Sequence, residues 1–271
     1  MIIKANGISM NYELSGSGRY FTLIHGAGDN LNAWYNQVPV FSRRYHVLTY
    51  DVRGHGQTEL PEEGLTTKLW VEDLYALLKA LNISETILLG FSMGAGIAQA
   101  FTLAHPQIVK ALILSNGGGL GRRSEEGMRE MASRRQTQIE DIKKRGIEAV
   151  VEQRTKGPFT PFSPGFVEKS PETIKQYKEM LRQNNPEGYL RVMQRMGQPT
   201  TPPDLSKITC PTLIIAGEHD ATGGTAGAKA TQEAIHGSQL KVFPTGHATA
   251  IEQPKAYNET ILRFLAEVGL G

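Results

Sequence analysis

The chain is poor in the features that mark several protein classes. It holds a single cysteine, Cys210, in 271 residues, so no internal disulfide framework can form and a reducing compartment is expected. Cys210 precedes Pro211 and an apolar run, the setting of a packed residue at a strand start. Neither sign of charge is in excess: 29 Lys and Arg stand against 27 Asp and Glu. Nothing in that balance calls for nucleic acid or an anionic membrane as partner. No apolar run is long enough to cross a bilayer. Met1 to Gly7 lacks a basic segment followed by a long apolar one, so no secretory signal is expected and a soluble cytoplasmic protein is. The chain also lacks a spaced His/Cys ligand set and a dinucleotide fingerprint, so neither a metal nor an organic cofactor is expected. No internal repeat or low-complexity tract is found.

What the chain does have is an alternation of strand and helix signals. Ile2 to Leu14 alternates loosely around Asn6-Gly7, as a β-hairpin does. Tyr20 to Ile24 and Tyr45 to Tyr50 are apolar strands, each running into a glycine-rich turn. A helix is expected over Ala33 to Phe41. Another is expected over Thr66 to Leu81, where Leu69, Val71, Leu74, Leu77, Leu78 and Leu81 recur at helical spacing. The strand from Thr86, its helix to about Ala104 and the strand Val109 to Leu114 follow. Strands that are apolar throughout belong to a mostly parallel sheet buried on both faces.

The alternation stops at Asn116-Gly117-Gly118-Gly119. Between about Leu120 and Leu205 no convincing strand occurs, and helices are expected over Glu125–Arg135, Gln138–Arg154, Glu172–Asn184 and Glu187–Met196. They surround a Pro/Phe loop, Pro158 to Phe166. A structureless loop of that length is improbable, so this stretch reads as a helical insertion packed over the sheet. Alternation resumes with Pro211 to Ala216 and Leu240 to Phe243, and a helix from about Lys255 to Val268 ends it.

The chemistry centres on Gly90-Phe91-Ser92-Met93-Gly94, set between a strand and an Ala-rich helix. Strand, sharp turn and helix in that order are what a nucleophile elbow requires, with the glycines letting the backbone pass close to itself. A serine hydroxyl is a poor nucleophile until a base takes its proton and a third group orients that base. Open α/β sheets bind ligands beyond the carboxyl ends of their strands. His247 follows the last strand and is the best-placed base of the seven histidines. Glu218 and Asp220 follow the strand before it; Asp220, deeper in its loop, is the preferred acid. Donors for a developing oxyanion are expected from the N–H groups of Met93 and Ala27. His25 is expected to be a structural hydrogen-bonding residue.

Taken together, His25-Gly26 with Trp34 downstream, Asp51-x-Arg53-Gly54-x-Gly56, the Ser92 pentapeptide, Gly217-x-x-Asp220 and Gly246-His247 resemble the α/β-hydrolase family, in the branch with a helical cap. The family usually has serine where Thr58 stands, a conservative change. The resemblance implies an α/β-hydrolase fold with a mostly parallel eight-stranded sheet, a core domain of 1–119 and 206–271, and a cap of 120–205. Within the family the chain is similar to small carboxylesterases, enol-lactonases and metal-independent acyl-homoserine lactonases. The implied activity is serine hydrolysis of carboxylic esters or lactones through an acyl-enzyme, by a monomer or homodimer acting on a small molecule. Carbon-carbon hydrolases and cofactor-free haloperoxidases or perhydrolases share the triad, and a non-catalytic binding scaffold would share the fold. Substrate contacts are expected at Trp34, Phe91, Phe159, Phe162 and Met193. Phe166, Met128, Met131 and Met196 either extend that apolar lining or pack the helices on one another. Arg122, Arg123, Arg134 and Arg135 offer charge for a carboxylate-bearing substrate, while most of them read as solvated helix faces.

Overall fold

The computed structural model describes residues 1–62, 65–117, 125–157, 160–196 and 203–271. Eight strands make one sheet: β1 (Ile2–Ala5), β2 (Ile8–Ser15), β3 (Arg19–Ile24), β4 (Tyr45–Tyr50), β5 (Thr86–Phe91), β6 (Val109–Ser115), β7 (Thr212–Gly217) and β8 (Gln239–Phe243), in the order β1-β2-β4-β3-β5-β6-β7-β8. β1 and β2 form the hairpin predicted at Asn6-Gly7, and both turn residues have positive φ, as a tight hairpin turn requires. β2 also pairs antiparallel with β4; every other pairing is parallel.

The apolar strands explain themselves once the two faces are separated, because neighbouring side chains point to opposite sides. Phe21, Leu23, Ile87, Leu89, Ala111, Ile113, Leu213 and Ile215 enter one layer, covered by α1 (Val38–Phe41) and by Tyr257, Ile261, Phe264 and Leu265 of α11 (Pro254–Glu267). Ile24, Leu88, Leu112, Leu114, Ile214 and Ala216 enter the other, covered by α2 (Thr67–Ala80) and α3 (Met93–Ala104). Among the described residues no helix is long and apolar enough to cross a membrane.

The α2 periodicity is realised with Trp70, Val71, Leu74, Leu77 and Leu78 buried and Thr66 capping the Leu69 N–H. The buried face also carries Asp73. Its carboxylate takes Arg53 Nη2 at 2.6 Å and Nε at 2.7 Å, and Asn6 Nδ2 at 2.7 Å. Asp51, two residues before Arg53, accepts from the Leu31 and Gln57 N–H groups and from Asn11 Nδ2. Thr58, in the position the family gives to serine, donates its hydroxyl to the Asp51 carbonyl at 2.7 Å.

Two helix boundaries differ from the sequence expectation. The helix expected over Ala33 to Phe41 is a 3-10 turn, Leu31–Trp34, followed by α1. Pro39 has no N–H to donate to Tyr35, so one continuous helix would lack a bond there. The helices expected over 125–135 and 138–154 are instead one long helix, α4 (Glu125–Arg145), and a short one, α5 (Ile147–Thr155). The chain breaks where Gly146 takes φ +63, and no proline interrupts it earlier. Then come α6 (Phe166–Lys169), α7 (Pro171–Leu181) and α8 (Pro186–Met196). The described residues between β6 and β7 hold helices and no strand. α9 (Gly224–Ala234) joins β7 to β8, and α10 (Thr249–Glu252) precedes α11.

The strand order decides where loops emerge. β3, β5, β6, β7 and β8 run parallel and adjacent, so the segments after Ile24, Phe91, Ser115, Gly217 and Phe243 all leave one edge of the sheet. The helical stretch reaches that edge: Val151, Phe162, Ile174, Tyr177, Met180 and Leu181 form a cluster closed by Ala33 and Ala248 from the sheet-bearing part.

The Arg53–Asp73 pair gives a stability test, since both side chains are nearly inaccessible (3 and 2 % exposed). Asp73→Ala leaves a buried guanidinium unpaired and is expected to lower the unfolding free energy by about 3 to 5 kcal/mol in urea titration. The double variant Arg53→Met, Asp73→Leu is expected to lose clearly less.

Candidate active site

Ser92 stands between β5 and α3 with φ +53 and ψ −113. A non-glycine residue is rarely held there, at a cost of about 1 to 3 kcal/mol. The surroundings fix it. Its N–H donates to Ser115 O at 2.9 Å, and its carbonyl accepts from the Ala95 N–H at 3.0 Å. A Cβ on Gly90 would strike the Gly94 carbonyl, one on Gly94 the Ile24 carbonyl, and one on Gly117 the backbone of Ser92. Glycine is therefore required at all three positions by close backbone approach.

The structure brings Ser92, His247 and Asp220 together. Ser92 Oγ lies 2.8 Å from His247 Nε2, and His247 Nδ1 lies 2.8 Å from Asp220 Oδ2. A carboxylate accepts, so Nδ1 carries the ring hydrogen and Nε2 is left to accept from the serine hydroxyl. Asp220 Oδ1 is held separately by the N–H groups of Thr222, at 2.7 Å, and Gly223, at 3.3 Å. Burial pushes the Asp220 carboxyl up, but the His247 hydrogen bond and these backbone donors prevail and hold it below its ordinary value of 3.8. Glu218, the alternative acid, is exposed. Asn116 has φ +49 and makes long contacts from Nδ2 to Asp220 Oδ2, at 3.5 Å, and to Gly246 O, at 3.4 Å. It directly follows β6 and precedes Gly117, where the sequence showed only a break.

The two residues expected to supply oxyanion donors, Ala27 and Met93, are buried. Among the described residues no oxygen accepts from the N–H of either. Beside Ala27, His25 is fully buried, with Nδ1 2.8 Å from Gly26 O and Nε2 accepting from the Val52 N–H at 3.0 Å. Burial lowers its proton affinity, in keeping with an Nε2 that accepts a hydrogen bond. This is the structural role expected for it.

Two groups that the sequence did not single out tie the helical stretch to the loops at this edge. Arg154 of α5 donates Nη1 to the Ala27 carbonyl at 2.9 Å and Nη2 to Asp29 Oδ1 at 3.0 Å. Glu252 of α10 accepts from the N–H groups of Gly246, at 2.8 Å, and Ser163, at 3.2 Å, and from the Ser163 hydroxyl. The Ala248 N–H donates to Pro161 O at 3.0 Å beside it. Burial raises the Glu252 carboxyl above its ordinary range.

The expected substrate contacts fall in different places. The Phe91 ring lies 5.1 Å from the His247 ring, and a Cβ on Gly26 would press on it. Phe162 stacks on Phe166 and meets Tyr177 edge-on, inside the cluster that joins the helical stretch to Ala248. Met193 is buried with Tyr189 and Val192. Trp34 is buried among Phe21, Leu23 and Phe41, in the layer under α11. Phe159, Arg122, Arg123 and the side chains of Met128, Met131 and Met196 lie outside the described residues. Among the described residues no group of three or more His, Cys, Asp or Glu side chains is arranged to hold a metal.

The depressed Asp220 value has a signed consequence. A carboxyl lowered in the folded state adds stability above its unfolded value near 3.8, and loses it as pH falls through the folded value. The difference in unfolding free energy between the wild type and Asp220→Asn is therefore expected to be constant at neutral pH and to shrink below about pH 4. Denaturant titrations at several pH values check this; a difference that does not change down to pH 3 contradicts it.

Comparison with known proteins agrees with this architecture. A family model described as alpha/beta hydrolase fold matches residues 21–254. The 3-oxoadipate enol-lactonase 2 of Acinetobacter baylyi is 28% identical, over 96% of this chain and 94% of its own. Among solved structures, the enol-lactonase from Burkholderia xenovorans LB400 superposes with TM-score 0.86 at 23% identity, covering 98% of this chain and 100% of that one. A thermophilic esterase from Thermogutta terrifontis reaches TM-score 0.85 at 25% identity, with 99% of both chains covered. The family match runs from β3 to the first residue of α11, and on that extent the chain belongs to the α/β-hydrolase family.

Proposed function

We propose that the protein is a serine hydrolase cleaving carboxylic esters or lactones of small to medium acyl groups, with Ser92, His247 and Asp220 as its triad. The observation that carries this reading is the unbroken chain of hydrogen bonds, 2.8 Å from Ser92 Oγ to His247 Nε2 and 2.8 Å from Nδ1 to Asp220. The esterase and lactonase names of the similar proteins agree with the substrate class.

The steps follow from the groups present. His247 Nε2 takes the Ser92 proton as Oγ attacks the carbonyl carbon, and Asp220 stabilises the imidazolium and holds its tautomer. The carbonyl oxygen becomes an oxyanion facing the N–H groups of Ala27 and Met93, whose engagement is typically worth about 3 to 4 kcal/mol per donor in the transition state. The Met93 N–H opens α3, where the helix dipole also favours negative charge. Collapse expels the alcohol oxygen, which receives the proton from His247; for a lactone this oxygen stays attached to the acyl group. A water that gives its proton to His247 then attacks the acyl-enzyme, a second tetrahedral intermediate collapses, and Ser92 is restored. Nucleophile, base and acid all come from the chain itself.

In the same reading residues 120–205 form a cap over the carboxyl edge of the sheet, and the acyl group lies between the two. Phe91, beside the His247 ring, is the expected substrate contact nearest the reacting atoms.

Hydrolysis of p-nitrophenyl acetate and butyrate tests the assignment. Wild type is expected to turn over both, Ser92→Ala neither, and Asp220→Asn is expected to lose about 10⁴-fold in kcat by loss of the correct tautomer. A fluorophosphonate adduct is expected on Ser92 by peptide mass spectrometry. Undiminished turnover by Ser92→Ala overturns the reading.

A further inference from the structure

The loop that follows β3 is held at every carbonyl from 26 to 28. Gly26 O accepts His25 Nδ1 at 2.8 Å and the Asp29 N–H at 3.2 Å. Ala27 O accepts Arg154 Nη1 at 2.9 Å, and Gly28 O accepts Asn184 Nδ2 at 3.1 Å. The first of these bonds comes from the sheet-bearing part, while the last two come from the helical stretch. Because a peptide unit is planar and trans, pinning a carbonyl also fixes the direction of the N–H on the same unit. The Gly26 carbonyl therefore aims the Ala27 N–H. Arg154 pins the next peptide plane, so the Ala27 Cα is caught between two fixed planes.

Arg154 is well built for that task. It is mostly buried, 14 % exposed, against an Asp29 side chain 3 % exposed. Its Nε and Nη2 donate to the Tyr177 hydroxyl at 2.9 and 2.6 Å, Nη2 also reaches Asp29 Oδ1, and the Tyr177 hydroxyl leans on the same Asp29 oxygen at 3.4 Å. One planar fork thus meets a carbonyl and a carboxylate of the loop after β3 and a phenol of α7, a pattern that a lysine ammonium cannot reproduce. Tyr189 adds a steric stop, its ring lying where a Cβ on Gly28 would go, and Gly28 has φ +77.

From this geometry we infer that Arg154 is a positioning residue: from the helical stretch, it sets the position of the Ala27 N–H as an oxyanion donor. The inference rests on the proposed hydrolase function. Arg154 does not touch the reacting atoms in this account; it acts through Ala27. Its loss is a defect in transition-state binding and leaves the proton-transfer chain of Ser92, His247 and Asp220 in place.

The test compares Arg154→Met, Arg154→Lys and Tyr177→Phe with wild type on p-nitrophenyl acetate, whose acyl group is too short to reach far into the helical stretch. Arg154→Met is expected to lower kcat about 10- to 100-fold, the scale of a donor displaced by about an ångström, with KM changed less than threefold. Arg154→Lys, which keeps the charge but not the fork, is expected to rescue little. Tyr177→Phe, which removes one support of the guanidinium, is expected to fall in between. The decisive readout is a phenylboronic acid that adds to Ser92 Oγ, the hydroxyl proton passing to His247, to give a tetrahedral boronate. Its affinity is expected to fall in step with kcat/KM across the variants, while the pH profile of kcat/KM keeps its wild-type midpoint.

A folded Arg154→Met with wild-type kcat, or a lowered kcat with unchanged boronate affinity, overturns the inference. If Arg154→Met does not fold, Tyr177→Phe and Asp29→Asn carry the same comparison, and wild-type kcat in both overturns it too. Failure of the hydrolase reading looks different, because the wild type then shows no turnover that depends on Ser92.

Discussion

The site depends on a backbone constraint at one residue. Ser92 is held at φ +53 because β5 must turn into α3 within one residue. That turn is possible only where neighbouring backbone comes closer than a Cβ allows. Gly90 and Gly94 give way to each other and to β3, and Gly117 gives way to Ser92 itself. A strained residue persists when its surroundings over-determine it, and here the strands on either side of β5 do so. The result is a hydroxyl raised at the sheet edge where it meets His247.

The rest of the edge is arranged around that hydroxyl from two directions. The sheet supplies His247 and Asp220 on the loops after β8 and β7. The helical stretch meets the neighbouring loops at two places: Arg154 donates to Ala27 and Asp29, and Ser163 bonds to the Glu252 carboxylate of α10, which also accepts from Gly246. These bonds are partly buried, where polar groups gain more from a partner and lose more without one than at the surface. The helical stretch is thus joined to the loops flanking Ser92 by specific polar ties as well as by the apolar cluster of Phe162, Tyr177, Ala33 and Ala248.

Much of this was legible in the sequence because the signals were local. Continuous apolar strands give a sheet covered on both faces, and the split of Phe21 and Leu23 into one layer and Ile24 into the other shows why. The Ser92 turn, and the placement of His247 and Asp220 after strands, follow from strand ends and glycines read along the chain. What escaped reading depends on partners distant in sequence. Arg154 lies in a charged helix, where an arginine reads as solvated, and only Ala27, Asp29 and Tyr177 make it an interior residue. Glu252 likewise has no local mark. Trp34, expected as a substrate contact, is buried in the cluster with Phe21 and Phe41. The helix Glu125–Arg145 runs on past the expected break near residue 136, because no proline or glycine interrupts it there and Gly146, at positive φ, is where it ends.

The position of the helical stretch in the topology also bears on how the molecule assembles. β6 and β7 are neighbours in the sheet, yet the described residues between Ser115 and Thr212 include the five α-helices α4 to α8. Laying β7 against β6 closes all of that chain as a loop, and closure entropy opposes such distant pairings until other contacts offset it. Ser92 precedes the closure, whereas Asp220 and His247 follow it. A nascent or partly folded chain can therefore hold the β3 to β6 half of the sheet in register, with its serine already turned outward, and still have neither imidazole nor carboxylate beside it.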